Sequence, residues 1–131
     1  MILLDTNVVI YLCVRPARLT RLASQAIRRG LAKSYLAVAA PTLWELAQAV
    51  STGRVVYQGS TDGFVRECLD VCSAEVLPLT LDIAVAAAHL PSTFPKDPMD
   101  RLIAATARVH NLALVTSDES IRASGVVRVV W

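Results

Sequence analysis

Four acids stand where a carboxylate could do chemistry. Asp5 closes the apolar run ILL, Glu45 follows the run YLAVAA and the turn PTLW, and Asp118 follows LALVTS. Asp100 lies inside KDPMDRLIAATARVH, three positions after Asp97. Each has an ordinary structural explanation. A helix start carries free N–H groups and partial positive charge, so an acid there caps or complements the helix without further function. Asp97 followed by Pro98 reads as an N-cap with proline at the first helical position, which would leave Asp100 as the distal partner of a capping box. The four together pose a different problem. Carboxylates converging on one crevice repel, and one is forced to hold its proton unless a cation sits between them. Hard oxygen donors without Cys or His suit Mg²⁺ or Mn²⁺ rather than zinc. Such ions keep several waters and favour phosphate oxygens, so the chemistry implied is hydrolysis of a phosphoryl group.

The elements that must position these acids alternate between strand and helix. Residues 2–4 form a short, fully apolar strand, and residues 6–12 read as a helix entered directly from Asp5. Arg15 and Pro16 mark a turn, and an amphipathic helix from about residue 18 to 29 is expected to end at Gly30. Its arginines 18, 21, 28 and 29 read as a solvated face in preference to a phosphate-binding one. Residues 35–40 form a second strand, Pro41 and Thr42 open a helix carrying Glu45 that closes at Gly53, and another helix covers residues 61–72. EVLPL at 75–79 is a third strand, with Pro78 tolerated only near its end. Thr80 caps a helix whose interior runs to Leu90, and residues 91–95 loop toward the helix that begins after Asp97. In that helix Leu102, Ile103, Thr106, Ala107 and Val109 are predicted to face inward. LALVT, a short helix from residue 117 to about 123, and the strand VVRVV complete the chain. This pattern predicts an α/β fold in three layers around a mostly parallel sheet, built as one domain over residues 1–131. In such a sheet ligands bind beyond the carboxyl ends of the strands, where Asp5 and Asp118 must lie.

Composition narrows the class. Hydrophobic residues make up 54% and charged residues 18%, so the chain is expected to fold fully, with an apolar face available to a partner. The net charge of +2 is too mild to announce nucleic acid by itself. Apolar runs are interrupted well short of the ~18 residues a membrane helix needs, and MILLDTNVVIYL lacks a basic leader. A soluble, cytoplasmic protein is expected. The odd cysteine count, Cys13, Cys68 and Cys72, argues against an exported disulfide framework and for core packing.

The segments LLDTNVVIYL, PTLWELA, DPMDRLIAATA and LVTSDESI, in this order, resemble the PIN domain, and most of all the VapC-type ribonuclease toxins of bacterial toxin–antitoxin pairs. They span nearly the whole chain. The resemblance implies a five-stranded sheet with the first strand central, a Mg²⁺ or Mn²⁺ site, and endonucleolytic cleavage of RNA. By position, Asp5, Glu45, Asp100 and Asp118 match the family's acids, with Asp5 and Asp100 as direct metal ligands and Glu45 and Asp118 acting directly or through water. Thr6, Asn7, Thr116 and Ser117 match polar positions flanking the acids and would orient carboxylates or waters. A homodimer silenced by a cognate antitoxin is implied as well. One departure stands out: many relatives carry a basic residue one turn after the helix glutamate, where this chain has Ala49.

Other readings rank lower. A haloacid dehalogenase-type phosphatase needs D-x-D, and Asn7 occupies the second position. The five glycines form neither a phosphate-cradling loop nor a dinucleotide fingerprint. A PIN-like module that binds RNA or protein without cutting is the non-enzymatic alternative, and retention of four mutually repelling acids argues against it.

Overall fold

Strands β1 (Ile2–Leu4), β2 (Leu36–Ala39) and β4 (Ala113–Val115) are nearly continuous apolar runs, as strands covered on both faces must be. With β3 (Glu75–Leu77) and β5 (Val129–Val130) they form one sheet in the order β3-β2-β1-β4-β5 in a computed structural model describing residues 1–131. All four pairings are parallel, so the sheet is wholly parallel. β1 is central, with Ile2 opposite both Leu36 and Ala113.

Successive side chains of a strand point to opposite faces, and the core divides accordingly. Leu4, Val38 and Val115 join a cluster with Val8, Ile27, Leu46, Phe64, Cys68 and Cys72. That layer is supplied by α1 (Thr6–Val14), α2 (Arg21–Lys33), α3 (Ala40–Ser51) and α4 (Thr61–Cys72). Leu3, Ala37 and Leu114 point the other way, onto Leu90, Phe94, Ile103, Ala107 and Ile121. There the covering elements are α6 (Pro98–Val109), α7 (Glu119–Ser124) and the loop following α5 (Leu81–Ala88), with α5 itself packed on α6. The predicted three layers and five strands are present. No helix is long and apolar enough to cross a membrane.

Several expected boundaries shift for identifiable reasons. Gly30 does not end α2, which continues to Lys33 and closes on Ser34 in the left-handed conformation. Gly30 is there for space: a Cβ at this position would sit 2.2 Å from Leu36 Cδ2, so only glycine lets the helix lie this close to β2. α2 also starts later than expected, at Arg21, because the Thr20 hydroxyl accepts from the Ala23 N–H and caps it. Residues 16–18 form a separate 3₁₀ turn, while α1 runs on to Val14. β3 stops at Leu77, before Pro78, and β5 is reduced to two residues. On α6, Val109 is exposed rather than inward, and Ala104 and Ala105 are buried in its place.

Candidate active site

The chain lays down β1, β2 and β3 outward on one side of the sheet, then returns to place β4 and β5 on the other. The strand order therefore reverses between β1 and β4, and the crevice beyond their carboxyl ends is where an open parallel sheet binds ligands. Asp5 ends β1 at that crevice, and Asp118 follows β4 into it.

Asp5 is 5% exposed and fully engaged. Its Oδ1 accepts from the Thr6 N–H at 2.8 Å, making it the N-cap of α1, and its Oδ2 accepts from the Thr116 hydroxyl at 2.6 Å. Burial pushes its carboxyl above the usual carboxylate range, the two hydrogen bonds oppose that shift, and Asp118 and Asp97 add to it. Thr116 serves both strands' acids, because its oxygen also accepts from the Asp118 N–H at 3.1 Å. Asp118 in turn caps α7, accepting from the N–H groups of Ser120 and Ile121.

Glu45 comes from the second turn of α3. Its Oε1 accepts from the Thr6 hydroxyl at 2.6 Å. Thr6 has one hydroxyl proton, so the 3.0 Å contact between its oxygen and that of Thr42 places the Thr42 hydroxyl as donor. A proton-ordered chain thus runs Thr42, Thr6, Glu45. Burial raises the Glu45 carboxyl, Asp5 and Asp97 raise it further, and Arg54 counteracts them.

Asp100 does not play the expected capping-box part. Asp97 accepts from the N–H groups of Met99 and Asp100, but no return bond forms from the Asp100 carboxylate to the Asp97 N–H. Its carboxyl is instead pushed up to about 7, first by burial, then by Asp5, Asp97, Asp118 and Glu45 in that order. Asp5, Glu45 and Asp100 thus each feel other predicted acids, Asp118 is felt by Asp5 and Asp100, and the charge of Asp97 is felt by Asp5, Glu45 and Asp100.

Among the flanking polar residues, Thr6 and Thr116 hold carboxylates as expected. Asn7 receives the Arg54 guanidinium on its Oδ1, and Ser117 makes no side-chain bond to any acid. Sequence reasoning missed three residues here. Thr42 is buried behind Thr6, and Arg54 returns from beyond α3 to the start of α1. Arg101 turns back from α6, its guanidinium donating to the carbonyls of Ala87, Leu90 and Pro95. It clasps the end of α5 and the following loop to the helix that carries Asp100. Of the three, only Thr42 carried a signal, its place one helical turn before Glu45.

The donor set fits a hard divalent cation. It consists of carboxylate oxygens, and burial together with the neighbouring acids pushes the Asp100 carboxyl up to about 7. As the side chains stand, no three of them converge to chelate a bare ion. An ion such as Mg²⁺ needs only one or two carboxylates directly and keeps several waters. Thr116→Val keeps the side-chain shape but strips Asp5 Oδ2 of its donor, and affinity for a divalent cation such as Mn²⁺ is expected to fall 10- to 100-fold, the usual effect of losing a ligand's supporting bond. The variant's circular dichroism checks that the sheet survives.

The sequence and fold have known counterparts. Residues 2–125 match the family model described as PIN domain. Ribonuclease VapC22 of Mycobacterium tuberculosis (strain ATCC 25618 / H37Rv) is 36% identical over 121 residues, covering 92% of this chain and 89% of that protein. The crystal structure of FitAcB from Neisseria gonorrhoeae superposes with a TM-score of 0.67 at 27% identity, covering 98% of this chain and 96% of that one. DNA-bound VapBC from Salmonella typhimurium gives a TM-score of 0.74 over 98% and 97% of the two chains, and at 20% identity it speaks to the fold alone.

Proposed function

The chain belongs to the PIN domain family, and from that premise we propose that it is a VapC-type endoribonuclease, the toxin of a toxin–antitoxin pair, acting on RNA in the cytoplasm with Mg²⁺ or Mn²⁺. The observation that carries the reading is the crevice at the strand-order reversal, where Thr116 ties Asp5 to Asp118 and where burial and then the neighbouring acids push Asp100 up to about 7. Residues 1–131 would form a single catalytic domain.

Asp5 and Asp100 would hold the cation, with Glu45 and Asp118 contributing directly or through water. A bound divalent ion supplies charge neutralisation for a phosphodiester and a more acidic water as the attacking group. The remaining work belongs to this chain's own side chains. Thr116 and the Thr6 N–H fix both oxygens of Asp5. Thr42 and Thr6 orient Glu45 Oε1. The Asp100 carboxyl, pushed up to about 7 by burial and its neighbours, would give up its proton when a cation is held there, so metal uptake and deprotonation would be linked. The homodimer and antitoxin follow from kinship with VapC-type ribonucleases and are supported by the exposure of Trp44, Leu81 and Val85.

The deciding experiment incubates purified protein with total RNA and Mn²⁺ or Mg²⁺, beside EDTA and the Asp5→Asn/Asp100→Asn double variant. Fragments should appear only with wild type and metal. Equal cutting by the double variant, or cutting in EDTA, would remove the carboxylates from the reaction.

A further inference from the structure

A groove of about 490 Å³ runs beside the outer turns of α1, lined by Tyr11, Arg15, Arg18 and Arg54 with apolar residues of α1 and of the segment after α3. It contains three cations and no acid. Resting on the ribonuclease reading above, we propose that this groove is the track that holds the phosphodiester backbone of single-stranded RNA on its way to the acid cluster.

The three arginines are free for such a role. The chain's close ion pairs are Arg66 with Asp62 and Arg122 with Glu119; none involves Arg15, Arg18 or Arg54, and of the three only Arg54 is felt by an acid, Glu45. Two of them are nevertheless positioned. Arg54 is anchored on Asn7 in the first turn of α1, two residues from Asp5, which puts one end of the groove at the crevice. Arg18 lies over the Tyr11 ring with its guanidinium carbon 5.1 Å from the centroid. A guanidinium already ordered by stacking loses less entropy when it binds a phosphate, and its planar fork matches phosphate oxygens. From Asn7 to Arg15 the helix advances about 12 Å at 1.5 Å per residue, so the track spans more than one nucleotide.

The missing basic residue at position 49 finds its account here. Ala49 is 3% exposed and packed in the core, so a side chain there does not reach solvent. The chain instead delivers its cation five residues later, where Val55 N–H bonds back to the Ala49 carbonyl and turns Arg54 toward α1. An anionic ligand is favoured throughout the groove. A phosphodiester is favoured over an acidic peptide because the site end leads to the acids, where the ribonuclease reading requires a phosphate.

The test uses a fluorescein-labelled oligouridylate and fluorescence anisotropy in EDTA across a salt series, with wild type, Arg15→Gln/Arg18→Gln, Arg54→Gln and the distant control Arg28→Gln. For single strands each phosphate contact contributes about −0.7 to the slope of log K against log salt. The double variant should flatten that slope by about 1.4 and lose at least tenfold in affinity at low salt, while Arg28→Gln stays unchanged. With Mn²⁺ added, the same double variant should raise KM and leave kcat within about twofold. Unchanged slope and affinity would overturn the track, as would variants that lose a polyglutamate probe but keep the RNA. Wild type that binds the oligonucleotide through these arginines yet never cuts it would uphold the track and sink the nuclease reading.

Discussion

Asp100→Asn is expected to slow RNA cleavage about 1,000-fold while making the metal-free protein more heat-stable above neutral pH. The two effects share one cause. Losing a ligand charge removes several kcal/mol of electrostatic stabilisation from the reaction, and about 4 kcal/mol corresponds to three orders of magnitude. The same charge is a burden to the metal-free fold. Asp100 is pushed from an ordinary 3.8 to about 7, so the folded state binds its proton more tightly than the unfolded chain does. The stability contributed by the protonated group is complete below about pH 4 and is lost as pH rises through 7. Solvent screening of this partly exposed carboxyl reduces the loss to about 1–2 kcal/mol, a few degrees in Tm. Wild type in EDTA should therefore melt progressively lower from pH 5 to pH 8, and the asparagine variant should show a flatter profile. Mn²⁺ should raise the Tm of wild type and not of the variant. Parallel profiles for the two proteins would show that Asp100 is not charged at the expense of the fold.

The largest stability effect is expected away from the acids, at Phe94. This residue lies in the loop between α5 and α6 but is 2% exposed, packed in the same cluster as Leu77, Leu90 and Ile103. Its N–H bonds to the Pro91 carbonyl, so the loop folds around its own anchor. Phe94→Ala should cost about 3–5 kcal/mol, whereas Phe94→Leu should cost less than about 1.5 because most of the volume is kept. Urea unfolding with an unchanged m-value separates this loss of packing from a change in the denatured state. The loop also carries Asp97 and leads into α6, so the alanine variant should lose part of its activity even where it remains folded. If it unfolds like wild type, the ring is not what pins the loop.

How much of this was readable in the chain depended on the range of the cause. Short apolar runs marked every strand, and acids just beyond them marked the site, because both signals are local. The N-caps at Asp5, Asp97 and Asp118 were legible for the same reason. Cys68 and Cys72 are buried in the core as expected, with Cys13 against it. Gly30 misled because glycine ends helices more often than it relieves a clash, and the clash is with Leu36 across a tight turn. Arg54 and Arg101 were silent: nothing in the neighbouring residues says that one returns to Asn7 and the other to three carbonyls of a preceding segment. Thr42 was passed over as a helix opener, although it stands beneath Thr6. The capping-box reading of Asp100 failed because its carboxyl makes no return bond to Asp97, and its environment is set by burial and by acids distant in sequence.

The bond between Asp5 and Thr116 joins positions 111 apart, and β1 waits just as long for β4. This has a consequence for biosynthesis. A growing chain at residue 95 already holds Asp5 and Glu45, but it has neither Asp100 nor the strand that completes the crevice. At roughly 5–20 residues per second, β1 spends about 5 to 20 s with one edge unpaired before β4 emerges. Throughout that interval the nascent polypeptide lacks a complete acid cluster. The exposed edge is meanwhile open to pairing with other chains, so overproduced protein is most vulnerable to aggregation while it is still on the ribosome.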